Sequence, residues 1–146
     1  MATPSSVRFD DEVAARLSQF VATHPGLSAS SATNLLVDEA LRSQDNPLVV
    51  FRDGPAGRRA RLVGGPDVWE VVRAVRSARA AERELSPDQV IALVAETSGV
   101  AEHLVRAAVD YWADYPHDVD VWVDRAERES KAAEERWRRE HRLLAG

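Results

Sequence analysis

Asp110, Asp114, His117, Asp118 and Asp120 are the densest group of side chains able to hold a cation, with Asp110 and Asp114 one helical turn apart. A metal site needs ligands converging from fixed elements, whereas Pro116 ends a helix between the two halves of this group. The pattern therefore predicts no metal: Asp110 and Asp114 line a wet helix face, and Asp118 or Asp120 caps the helix that follows. His24, His103, His117 and His141 are scattered, and no serine, histidine and acid trio has sequence context for nucleophilic catalysis. No phosphate-binding glycine fingerprint occurs, and Gly64-Gly65 reads as a strand-to-helix turn. With no cysteine in the chain, disulfides and thiolate metal sites are excluded. These residues predict a protein that is not an enzyme and needs no cofactor.

What remains is arginine chemistry. Of 19 basic residues only Lys131 is a lysine, and Arg52, Arg58, Arg59 and Arg61 cluster on a predicted hairpin. Guanidinium pairs well with phosphate and each contact releases counterions, which makes Arg58 and Arg59 candidate DNA-backbone contacts. The alternative is a solvated hairpin, or one that pairs with the acidic segment downstream. Charge is laid out in blocks within a net −5: residues 1–46 carry −3, 47–83 carry +4, 84–120 carry −7 and 121–146 carry +1. Alternating blocks favour specific partners over a general polyanion surface.

No apolar run approaches the roughly 20 residues needed to cross a bilayer, and the N-terminus lacks a signal-peptide core. The expectation is a soluble, cytoplasmic protein with no membrane partner. At 146 residues there is room for one ordinary domain or two small ones.

The elements that must position these side chains begin with a strand and two helices. Residues 3–9 alternate in their second half, with Ser6 and Arg8 between Ser5, Val7 and Phe9. Asp10 or Asp11 then caps a helix that puts Val13, Leu17, Phe20 and Val21 on one face, and Pro25-Gly26 stops it. Ser28 or Ser30 caps a second helix, reaching about residue 42, whose Ala32, Leu35, Leu36, Val37, Ala40 and Leu41 cover most of its circumference. A lone strand has nothing to pair with, and so short a segment cannot offset its ordering entropy unless a second copy completes the core. The expectation is a homodimer or a higher even oligomer.

The stretches S-S-V-R-F-D-D-E-V-A-A-R-L, H-P-G-L-S and S-A-T-N-L-L-V-D-E-A-L-R resemble the ribbon-helix-helix DNA-binding family over about the first third of the chain. The resemblance implies an antiparallel ribbon of two strands in the major groove, with the start of the second helix on a phosphate. Carried over, Ser6 and Arg8 face DNA, Pro4 sits at the ribbon edge, Ser28 and Ser30 lie at the phosphate, and Val7 and Phe9 face the core. Arg8 is the base reader, because its fork can donate two hydrogen bonds to guanine. Where many members carry several basic residues on the strand, this one carries Arg8 alone, which predicts weak binding by a single dimer.

Residues 43–47 form a polar break, giving a first domain at 1–44. Beyond it, 48–51 and 59–63 are β-prone runs joined by a turn-rich link at 52–58. Three helices follow, over 67–83, from Asp88 to about residue 96 after a Ser86-Pro87 start, and over about 101–113 beyond Gly99. Hairpin plus short helices is a helix-turn-helix-like outline for a domain at 47–120. Its G-G-P-D-V-W-E-V-V and A-A-V-D-Y-W-A-D-Y-P-H-D-V-D stretches resemble the 433 family of domains of unknown function, found in bacterial antitoxins. Tyr111, Trp112 and Tyr115 are read as core and rim.

Residues 121–146 read as a charged helix with i,i+4 pairs at Asp124/Arg128, Glu127/Lys131, Glu134/Arg138 and Glu135/Arg139. Val123, Ala126, Ser130, Ala133, Trp137 and Leu144 make a thin stripe near a 3.5-residue period, sparse for a strong homodimeric coiled coil. Such a helix docks into a partner's groove, with Trp122 and Trp137 as anchors and Arg125, Arg138 and Leu144 beside them. The alternative, stronger for Trp122, is packing against the chain's own middle domain. The whole is mainly α: a ribbon-helix-helix module, a hairpin with a helical domain, and a charged C-terminal helix. The resemblances imply a bacterial type II antitoxin that represses its own operon and neutralises a cognate toxin, commonly a PIN-like nuclease. The alternative is a stand-alone transcriptional regulator that also grips DNA with its middle domain.

Overall fold

The structure, a computed structural model, describes residues 2–146. Among these residues six helices and one antiparallel hairpin form, so the chain is mainly α. It divides into two compact units, Met1–Asp45 and Asn46–Gly146.

In the first unit residues 2–10 form no helix or strand and are exposed. The strand expected at 3–9 is therefore not present in the single chain, since a strand exists only through ladder hydrogen bonds to a neighbour and this unit has none to offer. Helix α1 (Asp11–Thr23) starts after Asp10, whose backbone is extended but whose side chain makes no capping bond. Gly26, at φ +95°, takes the left-handed turn between the helices. Helix α2 (Ala29–Asp45) runs three residues past its expected end. Its cap is Ser28, not Ser30: Ser31 N donates to Ser28 Oγ at 3.1 Å and Ser28 N to Ser31 Oγ at 2.8 Å, a reciprocal box that leaves Ser30 inside the helix. Only Ala32 and Glu39 are fully buried here, and in α1 Leu17, Phe20 and Val21 are half-buried.

The second unit opens with a hairpin, β1 (Val49–Gly54) and β2 (Gly57–Leu62), in which Val49 pairs with Leu62 and Gly54 with Gly57. The expected seven-residue link is a two-residue turn, Pro55-Ala56, because Arg52 and Asp53 continue the ladder opposite Arg59 and Arg58. Four helices follow: α3 (Val68–Ala81), α4 (Pro87–Ser98), α5 (Glu102–Asp114) and α6 (Pro116–Ala145). Ser86 and Gln89 close a capping box over Pro87, and Gly99 ends α4 at φ +71°. The inner hairpin residues Val49 and Leu62 meet Val68, Val71 and Val72 of α3, Val94 of α4, and Val105, Ala108 and Tyr111 of α5 in one core. Its predominance of valine suits short helices packed close together on a small sheet.

Helix α6 completes that core with Val119 and Val123. Its first residue is Pro116, whose missing N–H costs nothing at that position. Asp118 and Asp120 therefore lie within the helix and neither caps it. The boundary expected between residues 120 and 121 falls inside this one helix.

Candidate nucleic-acid and partner interfaces

In the first unit Pro4, Ser6 and Arg8 lie on the exposed irregular segment. Ser28 and Ser30 are exposed at the start of α2, with the Ser28 hydroxyl engaged as cap. Val7 is 63 % exposed, Val37 52 % and Leu41 61 %, and Phe9 and Val13 are exposed as well. Of the apolar side chains expected in a core, one chain buries Ala32 and half-buries Leu17, Phe20, Val21, Leu35 and Leu36, but leaves these five uncovered.

In the hairpin, alternate residues face opposite sides, so Arg58 and Arg59 point apart although they are neighbours in sequence. Arg58 sits opposite Asp53, with Nη1 3.3 Å from its carboxylate. Arg59 shares the outer face with Arg52 and Arg61, but its Nε donates to Asp67 Oδ2 just ahead of α3, and that carboxylate is 8 % exposed. Trp69 Nε1 donates to the same oxygen at 3.2 Å, while Asp67 N donates to Glu70 Oε2 at 3.0 Å. Gly54 makes room for this arrangement: a Cβ there would stand 1.6 Å from Arg59 Nη1. Arg59 therefore spends much of its charge fastening the hairpin to α3. Arg52 and Arg61 are the exposed members of the face, with Arg61 Nε donating to Gly65 O at 2.9 Å.

An open cleft of about 390 Å³ lies beside this network, between the hairpin turn, the start of α3 and the middle of α6. Trp69 and Trp122 stand in its wall, and Arg59, Arg61 and Arg125 face Asp67, Glu70 and Glu129 around it. Trp122, expected as a partner anchor, is half-buried: a Cβ on Gly57 would meet its ring at 3.5 Å, and the Arg125 guanidinium lies 5.8 Å from the ring centre. Arg125 also donates to Ala56 O at 3.2 Å and to Glu129 Oε1 at 2.9 Å. Both residues hold α6 against the hairpin, the alternative reading of Trp122.

On its other side α6 is pinned to α3 and α5. Arg73 Nε donates to Glu127 Oε1 at 2.9 Å, and Asp120 Oδ1 accepts from Arg76 at 2.5 Å and from Trp112 Nε1 at 2.9 Å. Burial alone would raise the Asp120 pKa, but the hydrogen bonds from Trp112 and Arg76, with the charges of Arg76 and His117, outweigh it and hold the carboxyl below its ordinary value. Among the expected helical pairs, Glu134 and Arg138 meet, Glu127 instead joins Arg73, and Arg125/Glu129 and Arg136/Glu140 form unforeseen pairs.

From residue 127 onward every residue of α6 is exposed. Trp137 is 56 % exposed, its ring 3.8 Å from that of His141 and tilted 33° to it, and Leu144 is 83 % exposed. Trp137, Arg138 and Leu144 thus share one projecting arm, apart from Trp122 and Arg125.

The hub at Asp120 and the Arg59, Asp67, Trp69 network were not foreseen from the sequence. Apart from Trp69 and Asp67, two residues apart, their partners lie 8 to 44 residues apart with no repeat linking them. Among the described residues no cluster of three metal-binding side chains occurs, and no helix is long and apolar enough to cross a membrane. Compared with family models, curated proteins and solved structures, the chain matches none.

Proposed function

We propose that this protein is a type II antitoxin: a dimer that binds operator DNA to repress its own operon and neutralises a cognate toxin, a PIN-like nuclease, through its C-terminal arm. The observation that carries the reading is the missing core of the first unit. No residue of α1 is fully buried, Leu17, Phe20 and Val21 being half-buried, while Val7, Phe9, Val13, Val37 and Leu41 are exposed around α1 and α2. Pairing residues 3–9 with the same segment of a second copy would supply the absent ladder and cover this surface, leaving Ser6 and Arg8 outward for base edges. The arm from residue 131 adds a second unpartnered surface with a tryptophan at its centre, the residue type most enriched at interface hot spots.

Two measurements test the reading. Light scattering on the full chain at micromolar concentration is expected to return a dimer or a higher even oligomer, and a monomer would overturn it. Titration with the DNA upstream of its own gene is expected to give specific binding that Arg8→Ala weakens by about 1–3 kcal/mol. Co-purification with the product of the adjacent gene, abolished by removing the arm, completes the antitoxin assignment.

A second reading, a stand-alone regulator that also grips DNA with the hairpin and the helices behind it, draws on the outward arginines Arg52 and Arg61. It predicts no partner from the neighbouring gene and a smaller salt slope when both arginines are replaced.

A further inference from the structure

The cleft beside the hairpin turn is walled by groups that the fold holds in place and leaves partly unused. Each of its three guanidiniums is anchored through Nε: Arg59 to Asp67 Oδ2, Arg61 to Gly65 O and Arg125 to Glu129 Oε1. Arg59 Nη1 and Arg125 Nη1 also reach Gly57 O and Ala56 O, whereas among the described residues both Nη groups of Arg61 and Nη2 of Arg59 and Arg125 find no acceptor. The carboxylates at the rim are engaged at one oxygen each. Glu70 Oε2 accepts from Asp67 N and Glu129 Oε1 from Arg125, which leaves Glu70 Oε1 and Glu129 Oε2 as open acceptors. The two indoles are fixed as well: Trp69 is tied through its N–H to the buried Asp67, and Trp122 rests over Gly57, where a Cβ would touch its ring. At about 390 Å³ the space stands near the lower end of the roughly 300–1,000 Å³ usual for small-molecule sites, which suits one compact ligand.

We propose that this cleft binds a single nucleotide unit whose base carries an exocyclic amine. The base lies against the indoles, the phosphate takes the free Nη edges of the arginines, Arg61 foremost, and the amine donates to the open oxygens of Glu70 and Glu129. A bare phosphate would leave the indoles uncovered and would face as many carboxylates as guanidiniums. An uncharged ring would leave the arginines without acceptors. Free Nη donors on three separate guanidiniums call for the several oxygens of a phosphate rather than the two of a carboxylate. Anchoring through Nε has already ordered these side chains, so binding costs little further entropy. Any base offers a π face for an indole, and the amine is what sets adenine, cytosine and guanine apart from the others. The site goes beyond the proposed operator contact and does not rest on it, since a duplex keeps its bases stacked and cannot lay one on an indole.

Titration of the full-length protein with AMP, followed by tryptophan fluorescence, is expected to saturate at about 1 mM or below. Adenosine, which lacks the phosphate, and IMP, in which a carbonyl replaces the amine, should each bind about tenfold more weakly, the effect of losing one charge-assisted hydrogen bond. Arg61→Gln alters an exposed side chain, leaves the Asp67 network intact and should bring AMP down to the level of adenosine, with thermal unfolding and operator binding through Arg8 unchanged. A single-stranded oligoadenylate that binds more tightly than AMP makes a strand the source of the nucleotide, and equal binding makes it the free nucleotide; both support the site. Absence of saturation by AMP, inorganic phosphate or free tryptophan binding as tightly as AMP, or a duplex competing as well as the single strand would each overturn it.

Discussion

Trp112 of α5 donates its indole N–H to Asp120 of α6 at 2.9 Å, and this bond spans the break between the two helices at Tyr115, where α6 opens on Pro116. With Arg76 on the same carboxylate, three helices meet at one acid. Asp120→Asn keeps the shape but loses the charge-assisted bonds, so the second unit is expected to lose about 1–2 kcal/mol in denaturant unfolding. The pH dependence has a definite sign. The folded pKa lies below the ordinary 3.8, so this contribution is complete above 3.8 and is lost as pH falls through the lowered value. An acid titration of unfolding should show that limb in the parent and not in Asp120→Asn.

Breaking the Arg59 and Asp67 pair strands a nearly buried carboxylate with Trp69 as its remaining side-chain donor. Arg59→Ala should cost about 3 kcal/mol, and Asp67→Asn less, because it removes the charge along with the need for a partner. Gly54→Ala should resemble Arg59→Ala, since the added methyl displaces the guanidinium. Thermal melts of the three variants check the order.

The two tryptophans of α6 should separate cleanly. Trp122→Ala removes packing over the hairpin turn and is expected to destabilise the chain by about 3 kcal/mol. Trp137→Ala removes an exposed ring and should leave unfolding of the second unit within about 0.5 kcal/mol of the parent.

Truncation sites should follow anchoring rather than charge. Ending the chain after Asp120 deletes buried Val123 together with Trp122 and Glu127, and should unfold or severely destabilise the second unit. Ending it after Lys131 removes exposed residues whose ion pairs Arg136/Glu140 and Arg138/Glu134 run along the helix, and should cost under about 1 kcal/mol. Circular dichroism and a urea titration of the two truncations decide this.

Leu41→Asp places a charge on the exposed apolar side of α2. If that side is the dimer surface, scattering mass should fall to that of a monomer and the first unit should lose helix signal. A variant that keeps the parent's mass would move the interface elsewhere.

Local chemistry was legible in the sequence, because its causes lie within a few residues. Ser86-Pro87 and Gly99 marked the ends of α4, and Pro25-Gly26 the first turn. The hairpin was legible too, though its turn was drawn too long: nothing local says that Arg52 and Asp53 prefer the ladder to the loop, and cross-strand pairing with Arg59 and Arg58 decided it. The start of α6 was misplaced by five residues because Asp118 and Asp120 look like caps, while Pro116 opens the helix and Asp120 is needed inside it by Trp112 and Arg76. Which arginines remain outward was likewise a tertiary decision. Sequence neighbours on a strand face opposite ways, and a buried carboxylate arriving from another element claims the one it can reach. Charge, caps and periodicity act over one helical turn and so can be read along the chain. Pairing of side chains tens of residues apart depends on where packing delivers them, and only the folded chain decides that.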